Sequence, residues 1–416
     1  MSSVLLTEES GVPGAVALIP TLGSLLLILL GDSQNRVSQL LSLPPFVGLG
    51  LISYSAYLWH QPLFAFTRHL MVYPPPHWVF GVLTCITLAV SYLSWRFIEN
   101  PIRHSLWKNF SSKQIVGAGV LASLVLALFG SLHFASLGGK NASTWLFSNF
   151  SSDIEKNFKI ASDQARELGG KLLDDGACTY HAEVESFDRN RFEQCFEKLG
   201  KASVIIGDSH SRDIYQALAP LRKGAFLVSM SKGGCRPAKP RDFCKNHYNQ
   251  VSKALGSVRE KLNRVIFTQS SKHLFVEQNG VTTDKQALEL TIDYLKGLQT
   301  AGIPLEFWGP RQIPNLTKRQ VFYSQCIDQE AYSKTTNSIL AAALDKASAI
   351  DTQLAELSLA SSLKYISTVS SLDFNWKQDL TDCNTLYWSN ESHWSSTGEK
   401  RFGKRLMRLM GKDRDP

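Results

Sequence analysis

Four long apolar runs fill the first third of the sequence, and they constrain the fold more than any other feature. They cover residues 12–31, 46–66, 79–95 and 115–137, and the last run contains no Asp, Glu, Lys or Arg. Each approaches or exceeds the roughly 20 apolar residues that a helix needs to cross a bilayer. Buried core helices are the alternative, but four such runs so close together favour membrane spans. The sequence therefore predicts a membrane domain of about four helical spans over residues 1–137.

The basic residues between the third and fourth runs predict the orientation in the membrane. This loop contains Arg96, Arg103, Lys108 and Lys113, and short loops rich in Lys and Arg stay on the cytoplasmic side. The fourth span would then leave the cytoplasm. The polar remainder of the chain, a linker over residues 138–172 and a domain over residues 173–416, is therefore expected outside it.

Cysteine usage agrees with an oxidising compartment. Cys85 lies within the third apolar run, whereas six cysteines fall in the polar part: Cys178, Cys195, Cys235, Cys244, Cys326 and Cys383. Six cysteines outside the cytoplasm indicate three disulfides, and proximity in sequence suggests pairs in the order in which they occur, although spacing alone does not determine connectivity. No Cys-x-x-Cys or clustered histidines occur, so no metal site is predicted.

In the polar part of the chain, a predicted strand followed by a turn indicates a nucleophilic serine. Residues 203–206 form the β-branched run of a buried strand, and Gly207, Asp208 and Ser209 follow at its end. A sharp turn there would open a helix and place the Ser209 hydroxyl at the carboxyl end of a strand, where open α/β sheets bind ligands. The backbone N–H of Ser209 at the helix start would stabilise an oxyanion.

A base for this serine is available near the end of the chain. Residues 390–398 read NESHWSSTG, and His393 could deprotonate Ser209 as the second member of a catalytic dyad. The alternative is a serine in an ordinary turn and a surface histidine, but two separate segments of suitable chemistry favour the dyad.

These two segments resemble the SGNH superfamily of hydrolases and acyltransferases. Its first block reads Gly-Asp-Ser, and its last block carries a histidine with an aspartate three residues earlier; here that position is Asn390. The resemblance implies that Asn390 is the third catalytic position, although a neutral amide stabilises an imidazolium poorly. Glu391, another acid or a backbone carbonyl could orient His393 instead, and a Ser-His dyad can act without a third member.

The same resemblance implies further oxyanion donors. SGNH proteins have a glycine after the second strand, for which Gly234 is preferred and Gly233 is nearly equivalent; an ordinary loop held by a Cys235 disulfide is the alternative. The block that supplies an asparagine amide in SGNH proteins is absent. Gln269 could donate in its place, although a structural role for it is at least as plausible.

The remaining pattern predicts the fold class of the polar domain. Strand-like runs at residues 203–206, 225–230, 264–269, 305–309 and 363–367 alternate with helical stretches. This βαβ alternation predicts an α/β three-layer, flavodoxin-like domain with a parallel five-stranded sheet. The basic segment at residues 400–410 keeps Phe402, Leu406, Leu409 and Met410 on one face, which indicates a closing helix and no nucleic-acid partner.

The membrane part carries a second resemblance. Residues 48–63 read GLGLISYSAYLWHQPL and residues 94–103 read SWRFIENPIR; both are similar to the closing helices of the acyltransferase-3 family of membrane O-acyltransferases. His60 would be a polar group on a membrane acyl path or, at least as plausibly, a helix-packing histidine. The early helices of that family have no counterpart here. We therefore expect a C-terminal fragment, a shortened product, or half of a split enzyme whose missing helices are on a separate chain.

Together the two resemblances imply a multi-pass protein of the bacterial inner membrane with a periplasmic SGNH domain. The implied activity is O-acylation, most plausibly O-acetylation, of a cell-surface polysaccharide or lipid-linked glycan such as the lipopolysaccharide O-antigen, through an acyl-serine. No bound cofactor is expected, and acetyl-CoA or another acyl-CoA would be the ultimate donor. An acyl-sugar esterase and a truncated, non-catalytic remnant are the alternatives.

Overall fold

The computed structural model describes residues 18–29, 35–73, 75–102, 111–136, 153–165, 172–222, 224–276 and 282–410. The chain divides into two compact units, Met1–Leu146 and Phe147–Pro416. The basic residues Arg103 and Lys108 lie outside the described residues, as does much of the linker predicted over residues 138–172.

The described part of the first unit is helical. Its helices are α1 (Leu18–Leu29), α2 (Arg36–Leu41), α3 (Pro44–Leu70), α4 (His77–Ser94) and α5 (Ser112–Ser136), and a π-helical turn, Trp95–Glu99, extends α4. Each predicted apolar run thus contains a helix. Among the described residues, the helix over His77–Glu99 is long and apolar enough to cross a membrane, so the prediction of four spans is not confirmed.

A hydrogen bond joins the two motifs of this unit that resemble the acyltransferase-3 family, residues 48–63 and residues 94–103. The Ser55 hydroxyl in α3 donates to Glu99 Oε2 in the π-helical turn over 2.9 Å, and Ser55 is buried. Thr87 and Ser91 are buried in α4, and both hydroxyls donate to backbone carbonyls of their own helix. These three buried hydroxyls are therefore all hydrogen-bonded, as an apolar environment requires.

The second unit is built on a parallel sheet of six strands in the order β1-β3-β2-β4-β5-β6. The strands are β1 (Thr179–His181), β2 (Ala202–Gly207), β3 (Leu227–Ser231), β4 (Leu262–Thr268), β5 (Leu305–Trp308) and β6 (Tyr365–Ile366). The predicted parallel α/β class is confirmed. Five strands match the predicted runs, and the sixth, β1, was missed because three residues are too few to show a periodic pattern.

Helices cover both faces of the sheet. They are α6 (Asp153–Gln164), α7 (Arg189–Leu199), α8 (Ser209–Leu218), α9 (His247–Ser257), α10 (Lys285–Thr300), α11 (Lys318–Phe322), α12 (Gln329–Ala360), α13 (Thr368–Leu372) and α14 (Ser396–Met410). Alternation along β2 separates two cores: Val204 and Ile206 pack with residues of α9 and α10, whereas Ile205 packs with residues of α8 and α14. In α14, Phe402, Leu406 and Met410 are buried, as predicted for a closing helix.

Three disulfides hold the loops of this unit. They join Cys178 to Cys195, Cys235 to Cys244, and Cys326 to Cys383. This pairing is the one suggested by the order of the cysteines in the chain. Cys85 in the first unit is free.

The carboxyl ends of three central strands meet at one point of the sheet edge. Gly207 at the end of β2 is in register with Ser231 of β3 and with Thr268 of β4. The residues that follow these strands therefore line a common site, as expected for parallel strands.

Candidate active site

Gly207 allows the sharp turn between β2 and α8. Its φ of 139° lies in a region that side chains rarely adopt, and a Cβ atom there would lie 1.8 Å from the carbonyl oxygen of Thr268. Only glycine permits this close approach of β2 to β4. The turn can therefore place the following two residues over the end of the sheet.

Asp208 anchors this turn and caps α8. Its Oδ1 accepts a hydrogen bond from the backbone N–H of His210, and its Oδ2 accepts one from the N–H of Ser270, both over 2.8 Å. Asp208 is 1% exposed, and burial raises the pKa of its carboxyl to about 6, against the two backbone donors. Asp208 is thus a structural clamp between β2, α8 and the segment after β4.

Ser209 is the first residue of α8 and is half-buried. Its position at the helix start is the one that the sequence predicted, and it places the backbone N–H of Ser209 at the amino end of α8. Such donors can stabilise a negative charge that develops on a carbonyl oxygen.

His393 is oriented by an acid that lies 180 residues away in the chain. Its Nδ1 is 3.0 Å from Oδ2 of Asp213, and the backbone N–H of Trp394 approaches the same oxygen over 3.4 Å. Asp213 follows Ser209 by four residues in α8, so both side chains project from one face of the helix. The imidazole is thereby hydrogen-bonded to the helix that Ser209 begins.

The role expected of Asn390 is filled by Asp213. The Asn390 side-chain oxygen accepts hydrogen bonds from the backbone N–H groups of Ser392 and His393, each over 2.9 Å. Asn390 therefore shapes the turn that presents His393 and does not orient its ring. The prediction of Asn390 as the third catalytic residue is therefore wrong. Of the alternatives considered, an acid elsewhere in the chain, Asp213, contacts the ring.

Arg311, which the sequence analysis did not identify, joins the parts of this site. It is 2% exposed and forms an ion pair with Asp213. It also donates to the backbone carbonyls of His210 and Ser392, over 3.1 and 2.8 Å. Its guanidinium stacks on the Trp394 ring, 4.3 Å from the centroid. Burial lowers the pKa of Arg311 and the Asp213 charge opposes that shift, so the buried pair is mutually supported.

Of the two candidate glycines after β3, Gly233 lies beside the serine. A Cβ atom on Gly233 would be 3.9 Å from Cβ of Ser209, whereas one on Gly234 would face Phe243 and Arg241. Gly234 has a φ of 72° and lies in a turn closed by a 3.1 Å bond from the Cys235 N–H to the Lys232 carbonyl. The structure therefore favours Gly233 over the preferred Gly234 as an oxyanion donor, and gives Gly234 a turn role.

Gln269 is committed to the core. It is 1% exposed, and its amide nitrogen donates to Oγ1 of Thr291 in α10 over 3.4 Å. The amide thus points toward a helix that packs on the sheet. The structure supports the structural role of Gln269 and not the donor role.

His210 packs directly against the candidate base. Its ring is perpendicular to that of His393, with 5.1 Å between centroids. His210 is buried, and burial lowers the pKa of its imidazole well below the ordinary value, with Arg311 and His393 acting in the same direction. A neutral imidazole is thus the neighbour of His393.

In the first unit, His60 lines a cavity of about 300 Å³ with Phe64, Thr84 and Thr87, among others. Its Nδ1 is 2.6 Å from the carbonyl oxygen of Tyr57 in its own helix. Its role on an acyl path stays a prediction. In the described ranges, no group of three or more His, Cys, Asp or Glu side chains could hold a metal ion.

Comparisons with known proteins agree with this architecture. Residues 177–408 match the family described as the SGNH domain (fused to AT3 domains). The protein named "Putative peptidoglycan O-acetyltransferase YrhL" of Bacillus subtilis is 26% identical over 309 residues, which cover 68% of this chain and 46% of that protein. The peptidoglycan O-acetyltransferase OatA of Listeria monocytogenes is 27% identical over 141 residues, 30% of this chain and 23% of that protein.

Among solved structures, the periplasmic domain of a lipopolysaccharide acetyltransferase from Salmonella Paratyphi A aligns with a TM-score of 0.36 and 13% identity, covering 64% of this chain and 98% of that domain. The chain spans less than half the length of the two peptidoglycan O-acetyltransferases that it matches.

Proposed function

This chain belongs to the family of SGNH domains that are fused to AT3 domains, and on that premise we propose that it is an extracytoplasmic O-acetyltransferase of a cell-envelope glycan. The observation that carries the proposal is the bond from His393 Nδ1 to Asp213, on the same helix that Ser209 begins. The proposed nucleophile and the orienting acid then lie one turn apart on α8, and the acid holds His393 against that helix. The names of the sequence relatives support acetyl as the group and an envelope glycan as the acceptor.

In the first half-reaction, His393 Nε2 accepts the Ser209 hydroxyl proton while Oγ attacks the carbonyl carbon of the acyl donor. The tetrahedral oxyanion is stabilised by the backbone N–H of Ser209 at the start of α8 and by the backbone at Gly233. The intermediate collapses when the bond to the leaving group breaks and His393 returns the proton to that group. An acyl-serine remains.

In the second half-reaction, a sugar hydroxyl attacks the acyl-serine. His393 takes the hydroxyl proton, the same donors stabilise the second oxyanion, and the proton passes to Ser209 Oγ as the ester bond to serine breaks. The products are an acetylated sugar and free serine, so atoms and charges balance. Water in place of the sugar would yield hydrolysis, which is the esterase reaction.

Asp213 and Arg311 serve His393 in both steps. The Asp213 carboxylate accepts a hydrogen bond from Nδ1–H, so that Nε2 carries the free lone pair and can act as the base, and it stabilises the imidazolium once formed. Arg311 is buried against Asp213 and forms an ion pair with it, which holds the carboxylate in place beside His393. The neutral His210 ring adds no second positive charge beside the imidazolium.

The location of the domain outside the cytoplasm, its attachment through about four spans, and acetyl-CoA as the ultimate donor belong to the same proposal. The three disulfides support an oxidising compartment. Peptidoglycan and lipopolysaccharide are the two envelope glycans to be compared as acceptors.

The test uses the full chain in membranes with Ser209→Ala, His393→Ala and, as a matched control, Ser257→Ala at the exposed end of α9. Mass spectrometry of the protein after exposure to p-nitrophenyl acetate should detect an acetyl group on Ser209 in the parent and in the control. Ser209→Ala should lose it entirely and His393→Ala nearly so. Acetylation of purified peptidoglycan and lipopolysaccharide is measured in parallel.

A Ser209→Ala protein that still transfers acetyl groups at the parent's rate would refute the site. Release of acetate from acetylated glycan, without transfer to added acceptor, would favour an esterase. Absence of any acetyl-serine in the parent would favour a non-catalytic glycan-binding domain.

A further inference from the structure

A cavity of about 340 Å³ in the second unit is lined by the segment that follows β4, by residues 313 and 315, and by one face of α12. Two of its lining residues, Ser271 and Lys272, directly follow Ser270, whose N–H binds Asp208. A third lining residue, Asn315, donates its backbone N–H to the carbonyl of Glu391, two residues before His393. The cavity is therefore flanked by the same segments that hold the serine and the histidine.

The long helix α12 forms an apolar wall of this cavity. The apolar side chains that line it are Phe275, Ile313, Ile339, Ala342, Ala343 and Ala347. The α12 members recur at helical spacing on one face, and three of them are alanines, so the wall is shallow and flat. Such a surface suits the C–H face of a sugar ring and the methyl of an N-acetyl group.

The rim of the cavity is polar and positively charged. Lys272 and Lys346 both line it and both are exposed, and Asn315 adds an exposed amide. No carboxylate lines this cavity within the described part of the chain. Two lysines on an otherwise apolar and amide-lined cavity complement an anionic group on the occupant.

We infer that this cavity is the acceptor subsite, and that it takes a glycan unit with a negatively charged substituent, a carboxylate or a phosphate, close to the hydroxyl that is acetylated. The inference rests on the proposed function and adds the location and the charge of the acceptor. In this arrangement the apolar wall holds the sugar ring, and the lysines select anionic units over neutral ones.

The experiment compares three acceptors with the full chain: a neutral N-acetylglucosamine tetrasaccharide, a tetrasaccharide in which N-acetylmuramic acid supplies carboxylates, and a phosphorylated N-acetylglucosamine oligosaccharide. The variants are the Lys272→Gln, Lys346→Gln pair and the control Lys334→Gln, an exposed lysine of α12 that does not line the cavity. The quantity is the ratio of kcat/KM for each anionic acceptor to that for the neutral one.

The paired substitution should lower this ratio by about tenfold, mainly through KM, since two partly exposed charge interactions are lost. Lys334→Gln should leave the ratio unchanged. The anionic acceptor whose kcat/KM ratio falls more in the paired variant identifies the anionic group as a carboxylate or a phosphate. An unchanged ratio in the paired variant, with acetyl-serine still formed and transferred, would overturn the inference while the proposed function stands.

A second variant tests the apolar wall. Ala343→Leu, which adds bulk to a half-buried lining position, should raise KM for all three acceptors, whereas Ala341→Leu at an exposed position outside the lining should not. Equal KM values for the two leucine variants would contradict acceptor binding in the cavity. If the parent forms no acetyl-serine at all, the proposed function fails and the acceptor subsite fails with it.

Discussion

Nδ1 of His393 lies 3.0 Å from Oδ2 of Asp213, an acid on the helix that Ser209 begins. The acid thus comes from the first block of the site and not from the terminal segment that carries the histidine. Asn390, three residues before His393, holds the backbone of the terminal turn instead. The site is consequently formed by two segments. Helix α8 supplies Ser209 and the acid that contacts the histidine, and the terminal segment supplies His393.

Because Asp213 and not Asn390 contacts the His393 ring, substitutions at these two positions should have different effects. Asp213→Asn should reduce acetyl transfer by about 10³- to 10⁴-fold, because an amide stabilises the wrong tautomer and cannot balance an imidazolium. Asn390→Asp should leave the rate nearly unchanged, because its side-chain oxygen only accepts backbone bonds. Both are checked by the rate at which p-nitrophenyl acetate acetylates the serine, measured at a temperature well below the unfolding midpoint of each variant. A rate gain in Asn390→Asp would restore the terminal position as the orienting acid.

Two glycine-to-alanine substitutions should differ in sign. Gly207→Ala should destabilise the second unit by several kcal/mol, since the new Cβ would collide with the Thr268 carbonyl and φ is unfavourable. Gly256→Ala in α9 has open space around it and should stabilise by up to about 1 kcal/mol. Urea unfolding of the full chain, followed by tryptophan fluorescence, measures both. Equal midpoints for the two variants would show that the turn can relax.

His247 predicts a loss of stability in acid. It is buried in α9, and burial, with a contribution from Lys232, lowers its pKa to about 4. The unfolded chain keeps the ordinary value near 6.5, so between these two values the unfolded chain binds a proton that the folded chain does not. The free energy of unfolding therefore falls as the pH drops from about 6.5 to 4.

His247→Phe keeps an aromatic ring against Tyr248 and should flatten this slope by close to one proton. The raised pKa of Asp208, about 6, acts in the opposite sense, because its stabilising protonation is lost as the pH rises toward 6. That contribution is common to the parent and the variant and cancels in the difference. Unfolding curves at several pH values give the slope; parallel curves would contradict the assignment.

The disulfides should rank by the length of chain that they close. Cys326 and Cys383 are 57 residues apart, whereas Cys235 and Cys244 are 9 apart. Loop entropy predicts a loss of about 4 kcal/mol when the first pair is changed to serine and about 2.5 kcal/mol for the second. Unfolding midpoints of the two double-serine variants test the order. A larger loss from the shorter loop would show that native packing around Cys235 outweighs chain entropy.

Local sequence signals predicted much of this protein. The β-branched run before Gly207 identified β2, and the residues after it identified the turn that holds Ser209. The spacing of Phe402 and Leu406 identified the closing helix, because each of these features depends on neighbours along the chain. Spacing alone did not determine the disulfides, but the pairs suggested by proximity in sequence are the ones that the structure contains. A short strand such as β1 leaves no such signal, because it is defined by its pairing with β3.

The acid that contacts His393, the buried cation beside it and the glycine nearest Ser209 were decided only by the tertiary structure. Helical spacing places Asp213 on the face of Ser209, but its selection over Glu391 and other acids depends on where the terminal turn docks, 180 residues later. Arg311 follows β5, and its place in the site depends on its contacts with Asp213 and Trp394, which no local pattern predicts. Likewise, Gly233 and Gly234 are equivalent in sequence, and only the path of the loop past Ser209 separates them, because contacts between distant segments are set by packing and not by local pattern.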